Sequence, residues 1–102
     1  MASTGKGIAL VTGASQGIGE AIALRLAEDG FDVAINDIAS KKEKLDALLA
    51  EITAKGRRSV AILADVSVED EVKAMVEKVV KELGGLDVVS VLPFLVKLSD
   101  SS

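Results

Sequence analysis

At 102 residues and a net charge of −4, this chain suffices for one small domain and lacks the basic face that nucleic-acid binding requires. It has no cysteine and no histidine, which excludes disulfides, thiolate or imidazole metal sites and any relay built on those side chains. Its apolar fraction of 49% argues against disorder, and with aromatics at 2% the core falls to Val, Ile, Leu and Ala, a palette suited to a buried parallel sheet under helices.

The start, Met1 to Gly7, shows neither a long apolar run nor an Arg-rich amphipathic pattern, and no stretch reaches membrane-spanning length. A cytoplasmic protein without membrane association is therefore expected. Ile8–Thr12 reads as a buried strand ending in a glycine-rich turn. Gly17–Asp29 follows with helical spacing and Gly30 as its stop, then Val33–Ile35 forms a second strand ending at Asn36 and Asp37. Ser40 followed by Glu43 predicts a capping box, opening a helix whose Leu45, Leu48, Leu49 and Ile52 make one apolar stripe.

Gly56 stops that helix, and Ser59–Ala64 is a third strand bounded by Asp65. Ser67 with Asp70 predicts a similar cap for a helix burying Val72, Met75, Val76, Val79, Val80 and Leu83. Gly84 and Gly85 end it before a fourth strand at Leu86–Val89. Regular alternation with short connections predicts a parallel sheet with right-handed crossovers. The first two helices should cover one face and the third the other. The apolar segment after Val89 has no clean period and holds the only proline, Pro93, which suits a strand interior badly. Residues 1–89 thus read as one unit, and 90–102 as a divergent tail.

The turn Thr12-Gly-Ala-Ser-Gln-Gly-Ile-Gly19 lies between a strand and a helix. Glycines there permit unusual dihedrals and let backbone amides approach a diphosphate, while the following helix offers unpaired N–H groups and a positive dipole end. Ser15 can add a hydroxyl donor. A glycine triplet by itself also occurs in turns that bind nothing. The context favours a dinucleotide, because Asp37 ends the next strand, where a carboxylate can accept from a ribose diol and repel a 2′-phosphate. No Walker phosphate-loop pattern is present.

With Asn36-Asp37, Ala64-Asp65-Val66 and Gly85-Leu86-Asp87-Val88, this turn resembles the short-chain dehydrogenase/reductase family from Gly7 to about Val89. The resemblance implies a Rossmann-type fold with strand order 3-2-1-4 and helices on both faces, incomplete relative to the family. It implies that Gly13, Ser15, Gln16, Gly17, Ile18 and Gly19 hold the diphosphate, and that Asp37 contacts the adenosine ribose. Asp65 and Val66 would lie against the adenine, although Asp65 also reads as a plain end-of-strand cap. NAD(H) is favoured, with NADP(H) the alternative. Gln16 stands where NADP-using relatives often carry Arg or Lys, while Lys41 and Lys42 are either solvated charges or able to neutralise an extra phosphate.

The family would continue with Asn-Asn-Ala-Gly and, later, a Ser and a Tyr-x-x-x-Lys pair. This chain has Ser90-Val91-Leu92-Pro93-Phe94 and no tyrosine, so no catalytic residue is assigned and no turnover is expected of it. An oxidoreductase cofactor unit, a non-catalytic dinucleotide-binding or interaction module, and a non-functional truncated product all fit the sequence. An exposed edge on strand four is the expected surface for association.

Overall fold

The computed structural model describes residues 6–91 and 94–97. Expectations resting on residues 1–5, on Pro93 and on the tail from Ser99 lie outside the described residues. In chain order the elements are β1 (Gly7–Val11), α1 (Gly17–Glu28), β2 (Phe31–Asp37), a 3-10 turn (Ala39–Lys41), α2 (Lys42–Ala54), β3 (Ser59–Leu63), α3 (Glu69–Leu83), β4 (Val88–Val91) and β5 (Phe94–Lys97).

The sheet order is β3-β2-β1-β4-β5, so the predicted 3-2-1-4 arrangement forms. β1 runs parallel to β2 from Gly7↔Phe31 to Val11↔Ile35, and parallel to β4 from Ala9↔Val88 to Val11↔Ser90. β2 and β3 pair from Val33↔Ser59 to Asp37↔Leu63. One expectation is corrected. Strand four is not at the edge, because β5 lies antiparallel to it from Val88↔Lys97 to Val91↔Phe94. An antiparallel neighbour needs only a tight connection, and it takes up backbone groups that a bare edge would leave open. β4 also runs past Val89 to Val91, so the expected boundary at residue 89 falls inside a strand.

Alternation along the strands divides the core into two layers. Val11, Val33 and Ile35 pack with Ala23 and Ala27 of α1 and with Leu45, Leu48 and Ile52 of α2. Leu10, Ala34 and Ile62 pack with Met75, Val79 and Leu83 of α3 on the opposite face. Helices therefore cover both faces as expected, and truncating a fully buried Leu45 or Ile52 to Ala would cost about 2–5 kcal/mol. Val80 departs from the predicted stripe at 46% exposure, since one step along a helix turns it off the Met75–Val79–Leu83 rail.

Neither predicted capping box forms. The 3-10 turn takes in Ser40, so α2 starts after Lys41, and α3 starts after Val68; neither start has a side-chain cap. The Ser67 hydroxyl donates instead to the Asp65 carboxylate at 2.6 Å. With Val68 at the N-cap position, Ser67 lies one residue too early to accept from the first turn of α3.

At the end of the sheet where β2 begins, Asp32 is clamped by two arginines. One of its oxygens accepts from the Arg58 amide at 3.0 Å and from Arg57 Nη2 at 2.9 Å. The other accepts from Arg58 Nε at 3.1 Å and Arg58 Nη2 at 3.0 Å. Arg58 Nη2 also donates to the Leu83 carbonyl at 2.9 Å, which ties the last turn of α3 to the clamp. Burial opposes the charge on Asp32, but the Arg58 amide and guanidinium and the Arg57 charge outweigh it and hold the carboxyl below its ordinary range.

Candidate functional site

At the other end of the sheet, the C-terminal ends of β1, β2 and β3 meet the first turn of α1. Gly13 and Gly17 both take φ of +62°, a left-handed conformation that explains glycine at each position. A Cβ at either would meet nothing within 4 Å, so the backbone there lies open to a ligand. Gly19 is glycine for another reason. A Cβ on it would collide with the Gly13 carbonyl, so the turn can fold back against the helix only without a side chain. No side chain caps α1, whose N-cap is Gln16. Its first N–H groups therefore have no intrahelical partner, and the dipole places positive potential at the turn.

Asp37 reaches this turn from the end of β2. Its Oδ2 accepts from the Ser15 amide at 3.1 Å and the Ser15 hydroxyl at 2.6 Å, while Oδ1 accepts from the Ile38 amide at 2.8 Å. Partial burial works against its charge, yet the Ser15 hydroxyl, the Ile38 and Ser15 amides and the nearby Lys41 lower its pKa below the ordinary value. It is held as a carboxylate. A carboxylate has about four lone-pair sites, so one remains for a further donor.

Asn36 fixes the backbone around it. The buried Asn36 Nδ2 donates to the carbonyls of Ile62 at 3.0 Å and Ala64 at 3.1 Å, and the Asn36 carbonyl accepts from the Ala14 amide at 2.9 Å. Ala64 N donates to the Asp37 carbonyl at 3.1 Å. Turn, acid and the end of β3 are thereby one hydrogen-bonded unit. Thr12 N donates to the Ser90 carbonyl at 3.0 Å, which brings β4 into the same frame.

Beyond Asp37, an open groove of 320 Å³ is lined by Ile38, Ala39, Leu63, Ala64, Asp65 and Glu71. Asp65 thus stands in the groove, but its Oδ1 is occupied by the Ser67 amide at 2.9 Å and hydroxyl at 2.6 Å. Those two Ser67 donors, hydroxyl first, lower the Asp65 pKa. Its own amide donates to Glu71 Oε1 at 2.7 Å. Val66 is 48% exposed beside the groove without lining it, and Ile18 is 68% exposed on the first turn of α1. Exposed Ile18, Ile38, Leu63 and Val66 put apolar surface around a polar turn, as ligand sites commonly do.

Two participants were not legible beforehand. Gln16 Oε1 accepts from Lys41 Nζ at 3.4 Å and from Lys44 Nζ at 3.1 Å, whereas Lys42 pairs with Asp46 at 2.7 Å. Lys41, at the end of the 3-10 turn, and Lys44, in the first turn of α2, are thus the cations at the site, rather than Lys41 and Lys42. The i+3 spacing was the available signal. Asn36 was marked only as the neighbour of Asp37, and its bridging role was hidden because its partners come from β3. Among the described residues no cluster of acidic side chains suits a metal ion, and no helix is long and apolar enough to cross a membrane.

The arrangement fits a dinucleotide: an open glycine backbone and an uncapped helix for phosphate, a held carboxylate for a diol, and a groove beyond. Comparison with known proteins points the same way. The chain is 63% identical over 81 residues to a short-chain dehydrogenase/reductase of Armillaria gallica, covering 79% of this chain and 31% of that protein. It is 59% identical over 80 residues to the 3-oxoacyl-[acyl-carrier-protein] reductase FabG of Staphylococcus aureus, covering 78% and 32%. The chain thus spans about a third of the length of these curated relatives.

Among solved structures, a blue fluorescent protein from a metagenomic library in complex with NADPH superposes with a TM-score of 0.80 at 45% identity, over 83% of this chain and 35% of that one. An NAD+-bound xylitol dehydrogenase gives 0.75 at 38% identity, over 80% and 31%. The family model described as short chain dehydrogenase matches residues 7–91. With strand order, turn and family match in agreement, the chain belongs to the short-chain dehydrogenase family.

Proposed function

We propose that this chain is the cofactor-holding unit of an oxidoreductase acting on alcohol or carbonyl groups, and that it holds NAD(H) in preference to NADP(H). One observation carries the reading: the Asp37 carboxylate is anchored, with a lone pair to spare, against a glycine turn at an uncapped helix start. Gly13, Gly17, Ile18 and Gly19 offer backbone to the diphosphate, and Ser15 and Gln16 complete the turn. Asp37 accepts from the ribose hydroxyls, and its charge disfavours a phosphate on that sugar. Asp65 and Val66 flank the adenine end, with the Asp65 oxygen not taken by Ser67 as acceptor for an amino group.

When bound, the nicotinamide supplies hydride transfer. The chain's own part is to bind and orient, since its sequence holds no tyrosine to move the matching proton. NADP(H) is the second reading, favoured by Lys41 and Lys44 at Gln16 and by the NADPH complex of a similar structure. Titration of the chain with NADH, followed by nicotinamide fluorescence, tests the proposal. Saturable binding by the wild-type chain should vanish in Gly17→Val, where a branched side chain meets a left-handed backbone facing the ligand. A folded wild-type chain that binds neither NADH nor NADPH would end it.

A further inference from the structure

Ser15 does something that its place in a phosphate-holding turn does not require. The residue is 4% exposed, and both its amide and its hydroxyl point to one oxygen of Asp37, at 3.1 and 2.6 Å. A hydroxyl has a single proton to give, and here it goes to the carboxylate, in the short, charge-assisted kind of contact. The turn cannot swing away easily, because the preceding Ala14 amide is bound to the Asn36 carbonyl at 2.9 Å, next to Asp37 itself. The opposite charges are close at hand. Lys41 and Lys44 meet at the side chain of Gln16, the residue after Ser15. A phosphate near the end of β2 would be repelled by Asp37 and attracted by these ammonium groups, so the outcome depends on where the carboxylate is kept.

Resting on the dinucleotide reading above, we propose that Ser15 is a positioning residue that fixes the Asp37 carboxylate in the ribose site. It thereby sets the discrimination between a dinucleotide with a free 2′-hydroxyl and one with a 2′-phosphate. Without the hydroxyl, the acid keeps only the Ser15 and Ile38 amides and can tilt toward solvent or toward Lys41. It then loses the aligned contact with the sugar and stops guarding against the phosphate.

The test is a cycle of the wild-type chain, Ser15→Ala, Asp37→Ala and the double variant, each titrated with NADH and with NADPH. Ser15→Ala should weaken NADH about tenfold, the usual worth of a hydrogen bond to a charged group, and leave NADPH no weaker. In the Asp37→Ala background the same change should leave the ratio of the two affinities where it was. Ser15→Thr retains the hydroxyl and should keep the wild-type ratio, even if Ser15→Ala folds poorly. Equal weakening of both cofactors by Ser15→Ala would make the serine a plain phosphate donor and overturn the assignment. So would a ratio shift of full size in the absence of Asp37. Failure of the wild-type chain to bind either cofactor would show before any substitution, and would sink the dinucleotide reading together with the assignment.

Discussion

β2 carries an aspartate near each end, and the two are treated in opposite ways. Asp32, at the start, has both oxygens filled by Arg57 and Arg58, and its side chain is only 11% exposed. Asp37, at the finish, is held by amides and one hydroxyl, with no cation bonded to it directly among the described residues. Both carboxylates are held ionised. A charge neutralised by two guanidiniums has nothing left to offer a ligand, whereas one held by neutral donors keeps its charge and a free lone pair. One end of the strand is closed and the other keeps a lone pair open.

The largest expected effect breaks the closed end. Asp32→Ala leaves the Arg58 amide and both guanidiniums without their carboxylate, with Arg58 solvent-exposed, and should lower unfolding free energy by about 2–3 kcal/mol in denaturant titration. NADH affinity of the folded fraction should not change. Acid should act through the same group. Its folded-state pKa is depressed, so its stabilisation is complete above the ordinary carboxylate range and disappears as pH falls through the lowered value. Asp32→Asn should accordingly flatten the low-pH limb of a stability profile. An unaltered limb would show that the clamp does not govern acid unfolding.

At the open end, Gly19→Ala drives a methyl group into the Gly13 carbonyl and should cost about 1–3 kcal/mol of stability, together with NADH binding. Retained affinity would mean that the turn relaxes without losing its amides. The smallest effect is the sharpest test of the contrast. Lys41→Ala with Lys44→Ala should leave NADH unchanged and weaken NADPH by about threefold, since exposed cations are worth little each. Loss of NADH affinity would show that the lysines reach the diphosphate.

The sequence revealed the parts of the site that are local. Gly13, Gly17 and Gly19 are dictated by the backbone conformation and close approach within a single turn, and Asp37 by its place at a strand end. The alternation of strands and helices pointed to a parallel sheet, and its strand order came with the family resemblance. What stayed hidden depends on neighbours far along the chain. Asn36 matters through the ends of β3, and Arg58 through Asp32 and the end of α3. Ser67 was expected as a cap because spacing cannot tell that α3 would start one residue later, with Val68 at its N-cap. β5 was missed for the same reason, since pairing with β4 is settled by backbone geometry rather than by any residue pattern near Pro93.

Asn36 has a consequence for motion. Its backbone carbonyl holds the Ala14 amide of the turn while its carboxamide holds the end of β3, so the mouth of the sheet should open as one plate. Occupancy of the glycine turn should therefore slow deuterium uptake at Ala64, on the far side of Asp37, as much as at Ala14. Cutting that one side chain back to Ala should let the two amides exchange independently.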